Sequence, residues 1–235
     1  MVVHCSNLGY VGEMLLTEAD GDLVTLANGR RLAVREIRNS DRPALEEAFG
    51  KLTSASRRAR FHAAKTHLTE EELRFLTECD GQNHYAVVAG YRDEATGTMQ
   101  GVGVARFLRT EDNPDIAEIA ITVVDDWQGS GVGGLLLERL IDAAAERDIK
   151  VFRALFLDSN SKMKNLIAHH LENGTVRHDG NGLLVLEYPI ATPGAFELIL
   201  KTIRSLTYGT MILPFRFGEQ TLRQVMSKNP GQKTR

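Results

Sequence analysis

Ala117-Glu118-Ile119-Ala120-Ile121-Thr122-Val123-Val124-Asp125-Asp126-Trp127-Gln128-Gly129-Ser130-Gly131-Val132-Gly133-Gly134 is the stretch on which the reading of this chain turns. Its first half, from Ile116, is a β-branched, apolar run that reads as a strand. Its second half places four glycines in the seven positions from Gln128 to Gly134. Val132, Leu135, Leu136, Leu140, Ala143 and Ala144 then recur at helical spacing towards Arg147. Glycine-rich backbone is entropically costly unless the chain must curl tightly or approach a ligand closely. A helix N-terminus directly after it offers unpaired amides and a partial positive charge, which suits a pyrophosphate.

A glycine-rich turn without a ligand is the plainest alternative, and two nucleotide loops are its rivals. No Gly-Lys-Ser/Thr closes the stretch, which argues against a nucleoside-triphosphate loop. A dinucleotide fold would put the loop after its first strand, with an acidic residue ending the next strand about 20 residues on. Here several strand-like segments precede the loop, and Asp148 lies ahead of the following strand.

Working outward, the spacing predicts elements along most of the chain. Turns fall at Asp20-Gly21-Asp22 and Asn28-Gly29, within an N-terminal extension (1–30) that reads as a short hairpin. Residues 31–38 form an imperfect strand. Asn39-Ser40-Asp41 caps helical residues 43–61, which break near Thr53-Ser54. Thr69-Glu70-Glu71-Glu72 opens another helix with a capping box, with Leu73 and Leu76 on one face. His84 to Gly90, Gly101 to Leu108 and Ile116 to Val124 make a meander. A helix to Arg147, a strand from Val151 to Leu157, a helix from Ser161 to Leu171 and a strand from Leu183 to Tyr188 complete it. The order predicts an α/β (α+β) domain over 31–190, a mixed sheet with layers of helix on it.

Composition is that of a globular chain: 235 residues, 43% hydrophobic and 25% charged. The net charge of −3 implies no general affinity for nucleic acid. Charge is uneven, because residues 191–235 carry seven Lys/Arg against Glu197 and Glu219. That stretch also holds Phe196, Ile199 and Ile203 at helical spacing, so it is expected to pack on the domain or on a second subunit as a homo-oligomer. Cys5 and Cys79 are too few for a disulfide framework or a structural zinc, and no metal site is expected. With no signal peptide and no apolar run of membrane-spanning length, the expected compartment is the cytoplasm.

Gln128-x-x-Gly131-x-Gly133 resembles the acyl-CoA-binding motif Gln/Arg-x-x-Gly-x-Gly/Ala of the GNAT N-acetyltransferase superfamily, and the order of elements over 31–190 agrees with it. The resemblance implies a mostly antiparallel mixed sheet, splayed at the cofactor site. It implies acetyl-CoA as acyl donor, its pyrophosphate on the amides of Gln128, Gly129, Ser130, Gly131, Val132, Gly133 and Gly134. It further implies pantetheine against the backbone of Thr122, Val123 and Val124, with Asn160 hydrogen-bonded to the same arm. Ser54-x-Ser56-Arg57-x-x-Arg60-Phe61, Leu68-Thr69, Leu76-Thr77-x-x-Asp80, His84 and Asn160-x-x-Met163 are similar to bacterial protein-lysine acetyltransferases. In those the domain is often fused to a cyclic-nucleotide-binding or acyl-CoA-synthetase-like domain, for which 235 residues leave no room. By spacing alone, Arg57, Arg58 and Arg60 read as a solvated helix face.

Glu118 is the candidate base. Strand alternation puts it on the face of Ala120, Thr122 and Val124, where a carboxylate is costly to bury without a partner. A lysine amine, with a pKa of about 10.4, must lose a proton before attacking a thioester, and a carboxylate can take it directly or through water. The resemblance assigns the same role. The structural alternative is an ion pair with Arg106 or Arg109. The acceptor expected is a protein lysine, with a small-molecule amine second; a non-catalytic acyl-CoA-binding module is the remaining reading.

Overall fold

Asn28-Gly29 makes the first corner of the sheet. Gly29 holds a φ of +82°, in the left-handed region that favours glycine, and the turn pairs strand β1 (Asp22–Thr25) with β2 (Arg31–Glu36). The computed structural model describes residues 21–191, apart from 62–64, 94, 172 and 181. Residues 1–20 and 192–235, with Phe196, Ile199 and Ile203, lie outside the described residues. Asp22–Thr25, within the stretch read as an extension, is the edge strand of the main sheet.

Beyond β2 come the helices α1 (Arg42–Gly50), α2 (Ser54–Phe61) and α3 (Glu70–Thr77), with the expected break at Thr53. The capping box of α3 is present. Thr69 Oγ1 accepts the Glu72 amide at 3.2 Å, and the Glu72 carboxylate accepts the Thr69 amide at 2.8 Å. The meander follows as β3 (His84–Arg92), β4 (Met99–Arg109) and β5 (Ile116–Val123). The chain then runs through α4 (Val132–Ala145), β6 (Val151–Leu157), α5 (Ser161–His170), β7 (Thr175–Gly180) and β8 (Leu183–Pro189). Strand β7 was not anticipated. All six of its residues are exposed, so no apolar alternation marks it in the sequence.

Among the described residues the strands form one sheet in the order β1-β2-β3-β4-β5-β6-β8-β7. Every neighbouring pair is antiparallel except β5–β6. On one face Phe107, Ile119, Phe152 and Leu186 pack with Leu136, Leu137 and Leu140 of α4, and Leu166 and Ile167 of α5 close over them. On the other face Phe49, Leu52, Leu68, Leu73 and Leu76 make a second, smaller cluster beneath α1 and α3.

The parallel pair is short. It consists of Ile116↔Val151, Ala117↔Phe152 and Glu118↔Arg153. Above that point β5 stays with β4 as far as Val123↔Gly103, while β6 stays with β8 as far as Leu157↔Leu183. The sheet therefore forks between β5 and β6, with Glu118 at the vertex.

Helix α4 lies tight against the β4 side of the fork at Gly103. A Cβ there would sit 2.9 Å from Leu136 Cδ1, 3.1 Å from Val132 Cγ1 and 3.2 Å from the Thr122 carbonyl oxygen. Val132 and Leu136 are fully buried and have little room to give. Gly103→Val should therefore overpack the contact and lower stability by about 1–3 kcal/mol in denaturant unfolding. An unchanged midpoint would contradict so close a contact.

Candidate functional site

The four glycines of the loop have different reasons to be there. Gly129 and Gly131 hold φ of +73° and +94°, so the backbone curls through a conformation that side chains resist. A Cβ on Gly134 would meet the His170 ring at 2.5 Å, so this glycine admits α5. At Gly133 a Cβ would find only Leu166 Cδ1 at 3.6 Å and Val123 Cγ2 at 3.9 Å, ordinary contacts. Neither curvature nor packing requires that glycine, which is what a close ligand approach would leave. Gly131 is the N-cap of α4 and gives the helix no side-chain cap. The first-turn amides at Val132, Gly133 and Gly134 thus lack intrahelical acceptors, and the residues fit an anion in the way a pyrophosphate needs. Val132 buries its side chain completely and still presents its backbone there. The Ser130 hydroxyl donates to the Trp127 carbonyl and steadies the curl. Trp127 is in turn held between the Arg30 guanidinium, 4.4 Å from its ring centroid, and the Tyr91 ring at 5.4 Å.

Below the loop, the fork exposes one edge of β5. The Val124 amide donates to the Val102 carbonyl at 2.9 Å, and the Thr110 amide to that of Ile116 at 2.9 Å. Antiparallel alternation between these bonds turns the backbone groups of Thr122 and Val124 towards β4. Those of Ile121 and Val123 face the gap. Of the three strand residues named from the sequence, Val123 alone presents its main chain to the fork; Thr122 and Val124 present side chains to the opposite helical layer. Gln128 Nε2 donates to the Val123 carbonyl at 2.8 Å, satisfying one acceptor that the missing partner strand leaves. Asn160, the N-cap of α5, accepts the Met163 amide on Oδ1 at 3.0 Å.

Helix α2 is tied to the loop. Asp125 accepts from the Thr53 amide at 2.9 Å, the Thr53 hydroxyl at 3.3 Å and the Ser56 hydroxyl at 2.8 Å. Lys162 stands 3.9 Å from the same carboxylate and donates to Gln128 Oε1. Burial disfavours the ionised Asp125, but the Thr53 amide, the two hydroxyls and Lys162 outweigh it. They hold the carboxyl below the usual carboxylate range.

Glu118 is exposed, and it makes no hydrogen bond or ion pair with any described residue. The arginines offered as alternative partners are engaged elsewhere. Arg106 bonds His84 Nε2 and the Leu76 carbonyl, each at 3.0 Å, while Arg109 bonds the carbonyls of Pro114 and Arg147. Arg153, beside Glu118 in register, turns to Glu187 at 3.1 Å. A free carboxylate at the vertex of the fork can accept a proton from an approaching group.

Sequence reasoning missed the inward turn of α2. Arg58 is exposed as expected, but Arg57 lies over the Phe49 ring at 4.7 Å and donates to the Gly50 carbonyl at 3.0 Å. Arg60 points into a cavity under α1. Apolar Phe61 beside Arg60 was the available signal that this helix is covered on one side.

Residues 35–171 match the model of the Acetyltransferase (GNAT) family. An acetyltransferase of Pseudomonas aeruginosa is 28% identical over 149 residues, 63% of this chain and 78% of that protein. Acetyltransferase Pat of Mycolicibacterium smegmatis is 34% identical over 99 residues, 42% of this chain and 28% of its own length. Among solved structures, the GNAT domain of S. lividans PAT superposes with a TM-score of 0.65 at 25% identity, covering 74% of this chain and 99% of that one.

The tether between α2 and the loop has a pH signature. An unfolded aspartate titrates near about 3.9 and the folded Asp125 below that. Its contribution to stability is therefore complete above the unfolded value and is lost as pH falls through the folded one. Asp125→Asn should cost about 1–2 kcal/mol in denaturant titration at pH 7, and the gap to the native chain should shrink below about pH 4. A gap that does not vary with pH would show that the charge is irrelevant.

Proposed function

The chain belongs to the Acetyltransferase (GNAT) family and is an N-acetyltransferase, and from that premise we propose direct transfer of acetyl from acetyl-CoA to a protein lysine, with Glu118 as general base. One observation carries the reading: the β5–β6 ladder stops at Glu118↔Arg153, directly below a glycine loop that opens a helix. The unpaired edge of β5 between Val123 and Glu118 is roughly 16 Å of strand. The amides of Gly129 to Gly134 take the donor's pyrophosphate, and the main chain of Ile121 and Val123 takes the pantetheine arm. Asn160 Oδ1 is used in capping, and in this reading its Nδ2 joins them. The acetyl end then lies towards Glu118.

A neutral amine attacks the thioester carbonyl carbon; the new C–N bond forms, the C–S bond breaks and CoA leaves as a thiolate. The lysine ammonium must first give up a proton, and Glu118 takes it directly or through a water. Among the described residues of α5 there is no tyrosine to protonate the thiolate, so solvent supplies that proton. The similarity to Acetyltransferase Pat and to the S. lividans PAT domain favours a protein lysine over a small amine.

Two substitutions separate binding from chemistry. Gly133→Asp fits sterically but puts a carboxylate where the phosphate must lie. Calorimetric titration should show acetyl-CoA affinity lost in a folded protein, and retained affinity would refute the loop assignment. Glu118→Gln should leave acetyl-CoA binding intact and slow CoA release by about 10²–10⁴-fold, partly recovered at higher pH as more amine is neutral. Near-native turnover at neutral pH would remove Glu118 from the chemistry. Running both proteins across lysine-bearing and small-amine acceptors tests the substrate class.

A further inference from the structure

Between the sheet and the helices α1 and α3 lies a cavity that the transfer chemistry does not use. Small residues on both walls create it. Ala33 of the sheet faces Ala44 and Ala48 of α1, and a Cβ on Gly101 would already lie 3.8 Å from that of Ala48. The space is about 100 Å³ and opens to solvent. Its walls are mostly apolar, and the charged groups that border it are Arg35, Asp41, Arg60 and Arg106.

The charges do not balance. Among the described residues Asp41 is the one carboxylate lining the cavity, and Arg35 already takes both of its oxygens at 2.7 Å. Arg106 is committed to His84 and the Leu76 carbonyl. Burial, and after it the Arg106 charge, push the His84 imidazole down to about 3, so it is neutral and adds no charge of either sign. Arg60 has the face of the Phe61 ring, 4.9 Å from its centroid, and no hydrogen bond or ion pair with a described residue. It is half-buried and lines the cavity. Burial first, then the neighbouring Arg106, lower its affinity for its proton, yet a guanidinium stays charged at neutral pH. A buried cation and a half-buried one at the edge of a mostly apolar space make an arrangement that an anion relieves.

We propose that this cavity binds a small monocarboxylic acid with an apolar body, its carboxylate on Arg60 and its hydrocarbon between α1 and the sheet. The hydrocarbon would rest on Ala48, Phe49, Leu52 and Val104. The site is separate from the phosphate loop, and the proposal does not depend on acetyl transfer. It does touch the transfer machinery, because Thr122 and Val124 of the forked strand line the same cavity.

The test titrates the full chain with 4-methylpentanoate and with its neutral isostere 4-methylpentanamide. Saturable binding of the acid, tenfold to a hundredfold tighter than the amide, is the expected result. Arg60→Gln should weaken the acid by a similar factor and leave the amide unchanged. Absence of binding, equal affinity for acid and amide, or an acid affinity indifferent to Arg60→Gln would each overturn the proposal. Should the variant not fold, methyl shifts of Leu52, Leu68, Val88 and Val104 in the native protein decide. Perturbation there by the acid supports the site, and perturbation elsewhere removes it. Acetyl-CoA added to the same samples reports on the phosphate loop independently, so either reading can fail alone.

Discussion

The parting of β5 from β6 after Glu118↔Arg153 is the constraint on which the other features depend. Buried main-chain polar groups must find partners, and β5 keeps half of its own through β4 as far as Val123. The other half faces the gap. Gln128 closes the uppermost of these by donating to the Val123 carbonyl, which explains why a glutamine begins the loop motif. The fork thus supplies, at once, an unpaired strand edge for an amide-bearing arm, a helix N-terminus above it and a carboxylate at its base.

The loop and helix α2 are mechanically joined. Asp125 follows the forked strand and fastens the start of α2 through Thr53 and Ser56; Gln128 and Lys162 extend the same network to α5. Charge-assisted hydrogen bonds of this kind are stronger than neutral ones and hold geometry as well. Any shift of the loop on taking up a polyanion would therefore be felt by α2, which carries Arg57 against Phe49 of α1 and Arg60 at the cavity beneath it. The tightness of α4 on Gly103, and of α5 on Gly134, leaves the rest of the scaffold little freedom to absorb such a shift.

Much of this was legible in the sequence, for physical reasons that differ by element. The loop and α4 were readable because glycine clustering and a 3.6-residue apolar period rarely coincide without cause, and Thr69 because a capping box is a local device. Which strand residues turn their main chain to the gap was not, since strand alternation fixes two faces and two edges but says nothing of which edge is unpaired: Val123 was named, Ile121 was not. β7 was invisible because an exposed edge strand needs no apolar pattern. Glu118 was placed correctly on its strand, but its solvent exposure was not foreseen: the burial of Ala117 and Ile119 belongs to the opposite face. Arg60 was hidden by its neighbours, since a helix with three arginines in four positions looks solvated until the packing of Phe61 is known.

Amide hydrogen exchange along β5 tests the central claim most directly. The amides of Ile121 and Val123 should exchange rapidly in the free protein and become protected with acetyl-CoA, together with those of Gly131 to Gly134. Those of Thr122 and Val124, already bonded to β4, should not change. Protection gained without this two-residue alternation, or confined to elements away from the fork, would contradict it.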